Sequence, residues 1–348
     1  MKTASETHCH LDRFRTDWPA KFQPLDTIFS HIHRGDRIFI HTACGEPQFL
    51  VKSLVDYVER NPKSIFDTEV FHVWTLDVAP YTDPRYQRNF RYNSFFIGNM
   101  TREAVNRGLA DYTPIFLSKV PGLFRDHLIP IDVALIQTSC PDRFGYMSLG
   151  ISVDIVKAAT ENARLVVAQV NHNMPRVHGD GFLHIRDVDF LVPHDEPILE
   201  YSDTADDEIA DRIGRYVASL VEDGDTIQVG YGSLPNVILR HLNRKKHLGV
   251  HTELLGDGLI ELIQLGVVDN SLKTLNPGKT VASFCMGSQA TYAYLHDNPG
   301  IEFKTVDYTN DPRIIAQHDH MTAINSALEI DLTGQATAES LGEFFYSG

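Results

Sequence analysis

A chain of 348 residues exceeds what one ordinary hydrophobic core organises, so two domains are expected. Hydrophobic residues make up 43%, enough for folded cores and against wholesale disorder. The formal net charge of −15 argues against general nucleic-acid binding, which needs a basic face, but leaves room for an anionic small substrate held by a few local groups.

The four cysteines, Cys9, Cys44, Cys140 and Cys285, are scattered with no C-x-x-C pair. That spacing reads as reduced thiols in a cytoplasmic protein, and not as a disulfide frame or a zinc site. The N-terminal residues lack an apolar signal-peptide core. No run approaches the roughly 20 apolar residues of a membrane helix. A soluble, cytoplasmic protein that does not engage membranes is expected.

Residues 1–25 are polar and read as loop or short helix. Arg37-Ile38-Phe39-Ile40-His41 reads as a strand after the turn Arg34-Gly35-Asp36. The small-residue stretch Ala43-Cys44-Gly45-Glu46-Pro47 then leads into a helix from Gln48 to about Glu59, with Leu50, Val51, Leu54, Val55 and Val58 at helical spacing. This is the basic strand–loop–helix unit of an α/β fold. Further strands are expected at Glu69–Trp74, Asn93–Ile97, Val133–Gln137 and Leu165–Val170, with helices at Arg102–Arg107 and Ile155–Ala163.

The pattern changes at Pro193-His194-Asp195-Glu196-Pro197, which reads as a linker and divides the chain into residues 1–195 and 196–348. A helix from Ile209 to Val221 follows, with Ile213, Val217, Leu220 and Val221 on its apolar side. Gly224-Asp225-Thr226-Ile227 then echoes Gly35-Asp36-Arg37-Ile38. Each begins a strand that runs into a small-residue loop with a proline and a helix, a weak internal repeat that suggests two related α/β domains. Val281–Phe284 is strand-like, Gln289–Leu295 helical, and Ala323–Leu332 suggests strand or hairpin.

Three stretches could carry chemistry. Glu253 ends a short strand-like run just before a helix-like run from Leu259 to Leu265, where ligands bind in open α/β sheets, and a carboxylate there can serve as nucleophile or base; a solvated acid is the alternative. Gln228-Val229-Gly230-Tyr231-Gly232-Ser233 is a strand entering a glycine loop and a helix start, suited to close backbone approach and to an anion, without dinucleotide or Walker spacing. Asn325 sits in apolar surroundings, where a buried amide needs partners and could donate to an oxyanion; a structural turn or cap reads equally well. The histidine clusters His8-Cys9-His10, His31-Ile32-His33 and His318-Asp319-His320 lack the spacing of a known metal mechanism, so no catalytic metal is expected.

The segment Gly249-Val250-His251-Thr252-Glu253-Leu254-Leu255-Gly256-Asp257-Gly258 resembles the active-site segment of the acetyl-CoA hydrolase/transferase family. Matching stretches include Ala43–Pro47, Gly108–Ser118, Pro141–Gly150, Val170–Arg176, Gln228–Asn236 and Ala323–Gln335, in order through almost the whole chain. The resemblance implies two related open α/β domains, the second incomplete at its C-terminus, since the family continues beyond the Tyr-Ser-Gly that closes this sequence. It implies transfer of CoA from an acyl-CoA to a small carboxylate such as acetate or 4-hydroxybutyrate, with Glu253 as the nucleophile that becomes a glutamyl-CoA thioester. Gly230-Tyr231-Gly232 and Asn325 match oxyanion-stabilising positions, and Gln228 and Ser233 belong to the same substrate-binding loop. Tyr231 replaces a small aliphatic residue, which implies a changed acyl pocket. No metal or redox cofactor is implied, and a homodimer is. Two alternatives share the resemblance: an acetyl-CoA hydrolase using Glu253 with water, and a non-catalytic CoA-binding or assembly module.

Overall fold

The computed structural model describes residues 9–76, 79–202 and 208–347. The strands, in chain order, are β1 (Arg37–Ile40), β2 (Thr68–His72), β3 (Phe90–Ser94), β4 (Asp111–Tyr112), β5 (Ile131–Thr138), β6 (Tyr146–Ser148), β7 (Ala163–Val170), β8 (His178–Gly179), β9 (Phe182–His184) and β10 (Phe190–Pro193). They continue with β11 (Thr226–Val229), β12 (Gly249–Val250), β13 (Leu254–Leu255), β14 (Thr280–Ala282), β15 (Phe284–Cys285), β16 (Ile301–Phe303) and β17 (Met321–Ile324). Two short antiparallel hairpins, Glu329–Thr337 and Ser340–Phe345, close the described chain.

Seven strands form one parallel sheet in the order β10-β7-β5-β1-β2-β3-β4. Its central strands are apolar on both faces because both faces are covered. Phe39, Phe71, Ala134 and Ile136 point into one core, which runs on to Ile227, Val250 and Ile324; Ile38, Ile40, Val70, Val133 and Leu135 point into the other, against the helix Gln48–Arg60. In that helix Leu50, Val51, Leu54, Val55 and Val58 are all buried, as their spacing predicts. In the second half β11 is central, with β12 and β17 parallel on either side. The architecture is α/β with parallel sheets.

The Gly-Asp echo has a structural counterpart. Gly35 and Gly224 both take positive φ, 81° and 87°. Each following aspartate then accepts from a backbone N–H three residues earlier: Asp36 from His33 at 2.8 Å and Asp225 from Glu222 at 2.9 Å. The same turn starts β1 and β11.

Four expectations need correction. The third strand begins at Phe90 and ends at Ser94, earlier than Asn93–Ile97, because Thr68–His72 pairs in register with Phe90–Ser94 and the apolar Phe95–Ile97 leaves the sheet toward a cleft. Of the Pro193–Pro197 stretch, Pro193 ends β10 and residues 194–197 are irregular but packed: His194 stacks on Phe49 at 3.8 Å, and Glu196 accepts from Gln169 at 2.5 Å and from the Phe49 N–H at 3.2 Å. The helix Glu208–Ala218 buries Ala210, Gly214 and Ala218, at i, i+4 and i+8, while Ile213 and Leu220 are exposed and Val217 is only half-buried; of the expected face only Val221, beyond the helix end, is buried. Close packing on the helix Ser233–Arg240 selects the small residues.

The fourth concerns the cysteines. Cys9 and Cys140, 131 residues apart, are joined in a disulfide with their Cα atoms 5.2 Å apart. The short helix Leu11–Asp17 buries Leu11 and Phe14 in the first core, and the His10 N–H donates to the Pro141 carbonyl at 3.1 Å, which brings Cys9 to the end of β5. Spacing along the chain carries no trace of that proximity. Cys44 and Cys285 are buried free thiols.

A Cβ on Gly214 would lie 2.8 Å from the His241 ring and 3.2 Å from Val237. Gly214→Val is expected to lower stability by about 1–3 kcal/mol in chemical denaturation, through overpacking of this helix pair; unchanged stability would show that the contact relaxes freely.

Candidate active site

The carboxyl ends of the parallel strands meet at a cleft of about 830 Å³. Trp74 follows β2, and Phe96, Ile97, Gly98 and Asn99 follow β3. From the second half come Gln228 to Leu234 at the end of β11, Glu253 after β12, and Asn325 after β17. Ligands in open α/β folds bind at such a crevice. All seven residues singled out from the sequence, Gln228, Gly230, Tyr231, Gly232, Ser233, Glu253 and Asn325, line this one cavity.

The geometry at Gly230 explains why a glycine stands there. Its N–H donates to the Ile324 carbonyl at 2.8 Å, continuing the β11–β17 ladder, and a Cβ would lie 2.5 Å from Asn325 Oδ1. Gly232 takes φ of +127°, a conformation costly for residues with a Cβ, and caps the helix Ser233–Arg240, whose first residues Ser233 and Leu234 line the cleft. Tyr231 between them is held on two sides. Its hydroxyl accepts from Tyr201 at 2.6 Å, and its ring meets Trp74 edge-on at 4.5 Å. These rings narrow the cleft beside the glycine loop.

Asn325 differs from expectation. It is exposed on the cleft wall, one residue past the end of β17 at the buried Ile324. It exchanges two hydrogen bonds with Gln228: Gln228 Nε2 donates to Oδ1 at 3.2 Å and Asn325 Nδ2 donates to Oε1 at 3.0 Å. Among the described residues, one N–H of each amide has no partner and is left for a ligand.

Glu253 is half-buried. Its backbone carbonyl accepts from the N–H groups of Ser283 at 2.9 Å and Phe284 at 3.2 Å, which pins the peptide where β14 gives way to β15. Its carboxylate accepts from Asn310 Nδ2 at 2.5 Å. Asn310 is itself oriented: Thr309 Oγ1 donates to Asn310 Oδ1 at 2.8 Å, and Ser283 Oγ lies 2.5 Å from Thr309 Oγ1. Ser283 thus supports Glu253 twice, through its backbone and at the far end of a hydroxyl–amide chain. Burial raises the Glu253 pKa, and the Asn310 bond opposes that rise.

A second acid lies close enough for the charge on Glu253 to act on it. Asp154 is buried; its Oδ1 accepts from the Val156 N–H at 3.1 Å, from the Ile155 N–H and from Thr42 Oγ1 at 3.3 Å. Its Oδ2 has no hydrogen-bond partner among the described residues. Burial pushes its pKa up to about 7, and Glu253 adds to the rise. Asn310 and Asp154 carry no spacing signature in the sequence. The polar run Thr305-Val306-Asp307-Tyr308-Thr309-Asn310 was the available hint.

Ala338, Tyr346 and Ser347, on either side of the hairpin Ser340–Phe345, line the cleft. Asn106 exchanges hydrogen bonds with the Phe345 backbone at 2.8 and 2.9 Å, Arg102 Nε donates to the Tyr346 carbonyl at 2.6 Å, and the Arg102 guanidinium lies 4.1 Å from the Tyr346 ring centre.

Asp154 has a folded-state pKa of about 7 against an ordinary 3.8, so the folded chain holds its proton more tightly than the unfolded chain. The associated stability is full below the unfolded value and is lost as pH rises through the folded one. Wild type is therefore expected to lose roughly 1–3 kcal/mol relative to Asp154→Asn between pH 5 and pH 8 in urea denaturation. A difference independent of pH would contradict a buried neutral carboxyl.

The family model of the acetyl-CoA hydrolase/transferase N-terminal domain matches residues 6–200, and that of the C-terminal domain matches residues 287–348. The chain is 44% identical over 322 residues to a 4-hydroxybutyrate coenzyme A transferase of Clostridium kluyveri, covering 92% of this chain and 74% of that protein. It is 41% identical to a succinyl-CoA:acetate/propanoyl-CoA:succinate CoA transferase of Fasciola hepatica, covering 93% and 67%. Among solved structures, RipA from Yersinia pestis superposes with a TM-score of 0.89 at 34% identity, covering 94% of this chain and 77% of that one. A 4-hydroxybutyrate CoA-transferase from Porphyromonas gingivalis gives 0.81 at 34% identity, covering 93% and 77%. The chain belongs to the acetyl-CoA hydrolase/transferase family of enzymes.

Proposed function

We propose that this protein transfers CoA from a short-chain acyl-CoA to a small carboxylate such as acetate or 4-hydroxybutyrate, through a thioester on Glu253. The observation that carries the reading is the Glu253 carboxylate, held by Asn310 at a strand end in a cleft walled by a glycine loop, a helix start and the Asn325 amide. The names of the similar proteins support a CoA-transferase over other chemistries.

The Glu253 carboxylate attacks the acyl-CoA carbonyl, forming a mixed anhydride and releasing CoA thiolate. The thiolate then attacks the glutamyl carbonyl, which leaves the donor acid free and CoA on Glu253. The acceptor carboxylate repeats both steps in reverse. Splitting the exchange in this way replaces one hard displacement with easier ones. Each addition places negative charge on a carbonyl oxygen, and the second Nδ2–H of Asn325, the Gly232 N–H and the N-terminal dipole of the following helix are the donors on hand. The exchange is redox-neutral and its nucleophile is a side chain, so the reading needs neither metal nor redox cofactor. It takes the protein as a cytoplasmic homodimer that binds no nucleic acid and no membrane; no helix among the described residues is long and apolar enough to cross one.

The test is acetyl-CoA consumption with and without a second carboxylate, in wild type, Glu253→Gln and Asn310→Ala. Carboxylate-dependent turnover is expected, abolished in Glu253→Gln. Asn310→Ala removes the bond that opposes the raised Glu253 pKa, so the acidic limb of its kcat/KM profile moves to higher pH. Loss of a charge-assisted bond of about 1.5–3 kcal/mol also costs roughly tenfold or more in rate. Consumption that ignores added carboxylate would make the enzyme a hydrolase, and full activity in Glu253→Gln would remove Glu253 from the mechanism.

A further inference from the structure

Away from the Glu253 cleft, the carboxyl ends of β5 and β7 border a second cavity, of about 410 Å³, lined among others by His10, Cys140, Arg143, His172 and Arg176. The Cys9–Cys140 disulfide lies at its edge. The two sulfurs and one ring nitrogen of His172 all lie within 4.8 Å of one another. His172 is fixed from behind: its backbone N–H donates to Asp195 at 2.8 Å, and its Nδ1 lies 2.8 and 3.1 Å from the two carboxylate oxygens of Asp195. Nε2 has no hydrogen bond among the described residues and is the ring nitrogen a ligand would take.

We propose that the reduced Cys9–Cys140 pair, with His172, forms a zinc-type metal site that the disulfide closes when oxidised. Two thiolates and an imidazole are the soft and borderline donors that select Zn²⁺ over hard cations. A carboxylate bonded to the far nitrogen of a histidine is the arrangement that fixes the tautomer and orientation of a metal-bound ring. A fourth ligand would come from water in the cavity or from the ring of His10, which also lines it. The Cys9-His10 pair, without metal-binding spacing in the sequence, thus acquires its missing partners from residues more than 130 positions away.

Passage between the two states balances with a small thiol reductant. Its thiolate attacks one cysteine sulfur, the Cys9–Cys140 bond breaks, and a mixed disulfide forms. A second reductant thiol resolves that intermediate, leaving two cysteine thiols and the oxidised reductant. Zn²⁺ then displaces the two thiol protons, so binding tightens as pH rises. The metal and the disulfide are alternative clasps at one place. Either ties the segment before the helix Leu11–Asp17 to the end of β5, and Asp195 links both to the stretch that continues to Tyr201 at the Glu253 cleft.

The test titrates the whole protein with Co²⁺ and Zn²⁺ after phosphine reduction and removal of the reductant. One Co²⁺ per chain should bind with visible d–d bands of tetrahedral form and a near-ultraviolet thiolate charge-transfer band, and Zn²⁺ should displace it. The oxidised protein should show neither band. Cys9→Ser and Cys140→Ser should each weaken binding by about 100-fold or more, and Asp195→Asn by roughly 10–100-fold. Cys44→Ser and Cys285→Ser should leave the spectrum unchanged. Far-ultraviolet circular dichroism confirms that each variant is folded. His172→Gln, at an exposed position, keeps the test decisive if a cysteine variant fails to fold. No thiolate band in reduced wild type, or bands that persist in Cys9→Ser, Cys140→Ser or His172→Gln, would overturn the proposal.

Discussion

The cleft depends on β11 being paired in parallel on both sides. Register sets Ile227 beside Val250 and Val229 beside Ile324. Both neighbours leave the sheet at the same end as β11, so Glu253 and Asn325 emerge on either side of the Gly230–Gly232 turn. The close fit of Gly230 against Asn325 Oδ1 and the Asn325–Gln228 amide pair follow from that register. A one-residue slip would turn alternate side chains to the opposite face and dismantle the site.

Around Glu253 the protein balances two opposed effects. Burial makes the carboxylate a poorer anion and a better nucleophile, while Asn310 keeps it ionisable and aimed. The Ser283–Thr309–Asn310 chain makes that aim a property of the backbone junction between β14 and β15. Asp154 below it follows a different rule. With one oxygen unpartnered among the described residues and burial raising its pKa to about 7, it keeps its proton at mildly acidic pH, which there spares Glu253 a neighbouring negative charge.

Much of this was legible in the sequence, for identifiable reasons. Apolar runs such as Val133–Gln137 read as strands because a doubly covered parallel sheet demands them, and the helix Gln48–Arg60 declared its buried face by spacing. Gly230 and Gly232 flagged a loop where a side chain would clash or strain. What stayed hidden was non-local or set by neighbours. The helix Glu208–Ala218 turns its small residues inward because a second helix sits too close for Ile213 or Leu220. Asn325 is exposed because β17 ends one residue earlier. Asn310 and the Cys9–Cys140 pair depend on contacts across 57 and 131 positions, which no local pattern encodes.

The central claim is that Glu253 becomes covalently loaded with CoA. Its most direct measurement is mass spectrometry of the protein mixed with acetyl-CoA and reduced with borohydride, followed by peptide mapping. The account predicts that the peptide containing Glu253 is converted to the alcohol, that conversion requires acetyl-CoA, and that free acceptor carboxylate added before borohydride reverses it. An unmodified Glu253 peptide from protein that consumes acetyl-CoA would contradict it.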